Sequence, residues 1–211
     1  MIDIVTEINA TRRAVEAGRG GSDQDRSVRL RRRYDAPVED VWDACTSPER
    51  IARWFLPVSG NLRPGGSYQL EGNAGGEILR CELPRLLPLT WVFGDAPTSE
   101  VGVRLSPGDH DDTVLELEHS MSVTPLWDKF GPGAVGVGWD GALLGLSLHL
   151  SGQATTDRQE WPRSPDGREF YTRSSQAWGA AHEAAGATAA EAGAAAENTA
   201  RFYTGETPPA G

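Results

Sequence analysis

The chain has 211 residues, enough for one domain with extensions, and its formal net charge of −10 argues against nucleic acid as a main partner, because phosphate binding needs a basic surface. No apolar run is long enough for a transmembrane helix, and the N-terminus, MIDIVTEINATRR, lacks the basic and apolar regions of a signal peptide. The two cysteines, Cys45 and Cys81, lie in apolar surroundings and read as core fillers of a reduced, cytoplasmic protein.

Residues 3–17 place Ile4, Val5, Ile8 and Val15 on one side, with Asp3 as a cap and Gly18-Arg19-Gly20-Gly21 as a stop. The spacing predicts an amphipathic helix, followed by a polar linker over 18–26, so that 1–27 stand apart as an N-terminal helix and linker. This helix is expected to dock onto the domain or onto a second subunit, which makes a homodimer through the terminal helices one possible assembly. From Val28, the apolar and polar positions alternate through Arg33, the period of a strand with one wetter face. Asp35-Ala36-Pro37 opens a helix carrying Val38, Val41, Trp42 and Cys45. Ser47-Pro48-Glu49 opens a second, short helix with Ile51, Trp54 and Phe55, stopped at Pro57.

Strands separated by turn residues follow, as an antiparallel sheet requires. SYQLE precedes the glycine turn Asn73-Ala74-Gly75-Gly76, and EILRCELPRLLPLTWVFGD reads as two strands interrupted near Pro84 to Pro88. SEVGVRLSP and DTVLELEHS form the next pair; Leu115, Leu117 and His119 share one face, while Glu116 and Glu118 face solvent opposite arginines such as Arg104. Residues 122–133 read as a loop rich in Pro and Gly. AVGVGWDGALLGLSLHL then predicts a long helix with two apolar stripes: Val135, Trp139, Leu143, Leu146 and Leu150 on one side, Val137, Leu144 and Leu148 on the other. A helix apolar nearly all round must be covered on both sides. Residues 152–211 form a polar connection and an Ala-rich extension, read as one long helix from about Arg168 to Phe202 that covers the second stripe.

Asp35-Ala36-Pro37, Val41-Trp42, Ser47-Pro48-Glu49 and Trp54-Phe55 resemble the opening of the START-like (SRPBCC) superfamily, in the branch similar to the C-terminal domain of the activator of the Hsp90 ATPase. The resemblance covers roughly residues 28–151. It implies an α+β helix-grip fold: an antiparallel β-sheet wrapped on a long C-terminal helix, here with extra N-terminal and C-terminal helices. It also implies an internal cavity, with Trp54, Phe55 and Trp139 at its mouth or lining. A shared scaffold does not transfer a function. Three roles are therefore weighed: a binder of a hydrophobic or aromatic small molecule, a polyketide cyclase-like or hydrolase-like enzyme using the same cavity, and a protein-interaction module for an Hsp90-like chaperone.

The residues themselves show no G-x-S-x-G elbow, phosphate-binding loop or zinc helix, and no cofactor or metal is implied. The cavity candidates are Trp54, Phe55, Tyr68, Trp91, Phe93, Leu117, His119, Trp139, Leu143 and Leu146. Aromatic rings give large apolar contact with few rotamers to freeze, which suits an apolar ligand. Core packing is the competing reading, and for Trp42 and Trp91 the stronger one. His119 is the one weak catalytic candidate: a buried imidazole could act as base or orient a polar group, or be a strand-end histidine satisfied locally.

Overall fold

The computed structural model describes residues 2–18, 25–153 and 160–205. Helix α1 (Ile4–Asn9) is capped by the Asp3 carboxylate, which accepts from the Thr6 amide at 3.1 Å. The predicted helix over 3–17 stops there. Residues Thr11–Ala17 instead form strand β1, antiparallel to β2 (Asp25–Tyr34), with Val15 opposite Val28 and Arg13 opposite Leu30. The segment TRRAVEA is mostly good helix formers, but pairing with the open side of β2 satisfies its backbone groups and overrides that local preference. Of the expected linker over 18–26, residues 19–24 lie outside the described residues and Asp25 already belongs to β2.

Helices α2 (Val38–Thr46) and α3 (Pro48–Trp54) follow as expected, with Pro48 starting α3. The strands are β3 (Val58–Gly60), β4 (Ser67–Leu70), β5 (Gly75–Glu77), β6 (Leu86–Trp91), β7 (Ser99–Pro107) and β8 (Thr113–Ser122). A five-stranded antiparallel sheet runs β1-β2-β8-β7-β6, and a three-stranded one runs β3-β4-β5. Bridges Gly75↔Val92 and Ile78↔Leu89 join them into one curved wrap. Register places Leu30 beside Leu117 and Leu117 beside Val103, and likewise Val28, His119 and Val101, so one face of three strands is buried. Glu116 and Glu118 take the other face. Arg104 stands opposite Glu116 across the strands, and Arg31 and Arg29 pair with Glu116 and Glu118 at 3.3 and 3.6 Å. Such half-exposed pairs contribute little stability.

After β8 the expected loop over 122–133 contains a one-and-a-half-turn helix, α4 (Pro125–Phe130), started by its proline. The long helix α5 (Gly133–Leu150) lies across the concave face of the sheet, with Ala142, Leu143 and Leu146 in the main core. The Ala-rich extension is two helices, α6 (Pro165–Ala184) and α7 (Ala189–Thr204), rather than one. Gly186 at φ 104° makes the break, and a Thr188–Glu191 capping box restarts the helix.

These terminal elements cover the second stripe of α5. Leu144 and Leu148 pack with Ile4 and Ile8 of α1 and Phe170 of α6, and Val137 shares the main core with Trp178. Each such buried side chain contributes roughly 1.5–3 kcal/mol. The cover is also polar. Asp140 of α5 is 2% exposed and its Oδ2 accepts from Arg13 Nε of β1 at 2.8 Å, Ser174 Oγ at 2.5 Å and Trp178 Nε1 at 3.0 Å. Arg32, on the buried face of β2, pairs with the Glu7 carboxylate and donates to Ser147 Oγ at 2.9 Å. Gly136 admits Trp178 against the helix backbone: a Cβ there would lie 2.6 Å from Trp178 Cζ2.

Candidate functional site

Two adjoining cavities lie between the sheet and α5. The inner one, about 180 Å³, is bounded by α2, α3 and α5 and by the buried face of the sheet. Eight of the ten expected residues line it: Trp54, Phe55, Tyr68, Trp91, Leu117, Trp139, Leu143 and Leu146. The outer one, about 490 Å³, opens beside α4 and α7, and Phe93 and His119 face it instead. Phe55, Trp91 and Trp139 line both and form the wall between them. Trp139 stands 4.9 Å from Trp91 and 6.2 Å from Phe55, centroid to centroid, and Phe55 stacks on Trp54 at 5.6 Å. Trp54 is anchored in turn, donating Nε1–H to the Ala44 carbonyl at 2.8 Å.

His119 holds this wall. Trp139 Nε1–H donates to His119 Nδ1 at 3.1 Å, so that nitrogen must be the unprotonated one. The proton then sits on Nε2, 2.9 Å from Ser99 Oγ, and Ser99 donates onward to the Trp91 carbonyl at 3.0 Å. The chain fixes one neutral tautomer. Burial agrees with it, lowering the His119 pKa from 6.5 to about 4. Both ring nitrogens are engaged, so the histidine orients the indole rather than presenting a free base.

The hydroxyls of the inner cavity are similarly occupied, and its one charged lining residue among the described residues is the exposed Arg63. Tyr68 Oη donates to the Thr90 carbonyl at 2.7 Å, and burial raises its pKa. Thr46 Oγ1 donates to the Trp42 carbonyl at 2.8 Å. Burial pushes the Cys45 thiol up to about 12, so it is no thiolate nucleophile. No group of three or more potential metal ligands occurs among the described residues. The lining therefore supplies shape and apolar area, with Arg63 at its exposed side and no carboxylate or histidine among the described residues to pair with it.

Sequence reasoning missed much of the lining: Ile51, Val58, Ile78, Leu87, Leu89, Val101 and Val103 inside, and Trp127, Phe130, Phe202 and Tyr203 outside. The aliphatic positions look like any strand core. Trp127 and Phe130 carry an i, i+3 spacing inside a segment read as loop, and Phe202-Tyr203 is an aromatic pair ending an alanine tract.

A family profile described as "Activator of Hsp90 ATPase homolog 1-like protein" matches residues 35–150, more than half of the chain. The chain belongs to this family. The crystal structure of CalU16 from Micromonospora echinospora is 41% identical, covering 82% of this chain and 99% of that one, with a TM-score of 0.67. The solution structure of the same protein gives 40% identity, 83% and 96% coverage and a TM-score of 0.69. Similarity to CalU16 thus extends beyond the profile into the terminal elements. MLL2253 from Mesorhizobium loti, 22% identical over 61% of this chain and 99% of that one at a TM-score of 0.53, shares the fold. Nothing among curated proteins matches the chain. The helix-grip architecture expected from the opening motifs is the one the family and the fold display.

Proposed function

We propose that this protein binds a hydrophobic or aromatic small molecule in the inner cavity, as a cytosolic binding protein. The observation that carries the reading is a cavity of about 180 Å³ walled by Trp54, Phe55, Trp91, Trp139 and aliphatic side chains, with its hydroxyls already bonded to backbone. Its size suits one ring or a branched alkyl group, since apolar cavities of roughly 150 Å³ hold benzene. Free Cys45 and Cys81 fit a reducing compartment. An enzyme acting on an aromatic substrate is the less supported reading, because His119 spends both ring nitrogens on Trp139 and Ser99. A chaperone-directed role has the family name in its support and no feature of the cavity.

Methyl NMR during titration with toluene tests the reading. Saturable shifts centred on Leu117, Leu143 and Leu146 are expected. Absence of any saturable shift at these methyls, together with no apolar molecule retained in native mass spectra of protein incubated with cell extract, refutes it.

A further inference from the structure

The outer cavity differs from the inner one in builder, size and chemistry. Its far wall comes from α7, through Thr199, Phe202 and Tyr203, which lie outside the segment matched by the family profile. At about 490 Å³ it falls within the range of roughly 300–1,000 Å³ typical of sites for drug-sized ligands. The inner cavity does not reach that range.

The aromatic content is high and arranged for contact. Trp91 and Trp139 form the floor, Trp127 and Phe130 of α4 one side, and Phe202 and Tyr203 of α7 another. These groups are braced: Phe130 packs on Phe202 at 5.7 Å, and Tyr203 stacks on Tyr171 at 5.1 Å. Phe93, Leu126 and Phe202 rim the opening while 55%, 58% and 67% exposed, so three of the large apolar side chains left in water gather at one mouth.

Among the described residues, no Arg, Lys, Asp or Glu lines the chamber. A charged ligand group would lose its hydration there without a counter-charge. Its titratable groups are His119, held neutral by its hydrogen-bond chain, and Tyr203, whose pKa burial raises. The polar groups left to a ligand are few. Thr124 Oγ1 and the Asn73 amide nitrogen make no hydrogen bond among the described residues, whereas Ser99 and Thr199 are engaged with backbone.

We infer that the chamber between α4 and α7 is a second ligand site, which takes an uncharged, flat polycyclic aromatic molecule bearing at most a few hydroxyl or carbonyl groups. Stacking on the tryptophans supplies contact, and the absence of charge in the lining selects against ionised ligands. The site stands independently of occupancy of the inner cavity.

Two probes sharing one ring system test this: neutral 1-pyrenemethanol and anionic 1-pyrenesulfonate, followed by quenching of tryptophan emission. Saturable binding of the neutral probe is expected, with the sulfonate at least tenfold weaker. Phe202→Asp and Leu126→Asp place a carboxylate at the rim on exposed positions, so the fold survives. Each should weaken the neutral probe at least tenfold while the thermal midpoint stays unchanged. The inference is overturned by no saturable binding, by equal binding of both probes, or by wild-type affinity in both variants. It is equally overturned if sedimentation shows a dimer that those two substitutions dissolve and whose formation blocks the probe. Toluene shifts at the inner methyls are scored separately, so failure of one site is distinguishable from failure of the other.

Discussion

Replacing His119 by Gln should remove a defined part of the acid sensitivity of folding. In the folded chain the imidazole is 3% exposed and its Nδ1 accepts from Trp139, which excludes a proton from that atom. Its pKa falls from 6.5 to about 4 because burial penalises the charged form. Between these values the unfolded chain binds a proton that the folded chain does not. Stability contributed by the neutral histidine is therefore present above pH 6.5 and declines as the pH falls toward 4. At pH 5 the loss is about 2 kcal/mol relative to pH 7.5, from the proton-linkage relation. Gln retains an acceptor for Trp139 and a donor for Ser99 but cannot titrate. Urea denaturation of both proteins at pH 7.5 and pH 5 checks this. His149 and His182 also have lowered pKa values from burial, and their contributions cancel in the comparison. The wild type should lose about 2 kcal/mol more than the variant on acidification. A difference below about 0.5 kcal/mol would show that the buried neutral tautomer is not what the fold maintains.

Three further substitutions probe the packing around the site. Asp140→Ala leaves Arg13, Ser174 and Trp178 without their common acceptor and should cost about 3–5 kcal/mol in denaturant melts, with faster amide exchange in α6; a loss under about 1 kcal/mol would show that this shared acceptor does not hold β1 and α6 to α5. Gly136→Ala pushes a methyl into the Trp178 indole and should cost about 1–3 kcal/mol, read from thermal unfolding; unchanged stability would show that Trp178 moves aside freely. Thr188→Ala removes the capping box of α7 and should cost about 1 kcal/mol, with amide exchange rising in the first turn of that helix and not in α5.

The central fold was legible because its signals are local. Proline placement marked the starts of α2 and α3, although neither helix has a side-chain cap, and alternation through Leu115, Leu117 and His119 fixed the buried face of β8. The two-sided apolar pattern of α5 announced a second cover, which α1 and α6 supply through Ile4, Ile8 and Phe170. What failed depended on distant partners. Residues Thr11–Ala17 become a strand because β2 offers an open edge, a condition no window of sequence contains. The break at Gly186 looks no different from Gly179 or Gly193, which stay helical. Of the site, the aromatic wall was readable as residue types. The pairing of His119 with Trp139 was not, because strand register and helix placement together bring them within 3.1 Å. Asp140 had one available cue, a single carboxylate within an otherwise uncharged helix.

That carboxylate makes the two ends of the chain thermodynamic partners. Its donors come from β1 near one end of the chain and α6 near the other, and the adjoining Leu144 and Leu148 are shielded by α1 and α6 together. Losing either end strands a desolvated charge or bares apolar surface, so each end raises the cost of releasing the other. Opening from the N-terminus and opening from the C-terminus become a single cooperative event, and a chain trimmed to residues 28–151 would forfeit both contributions at once.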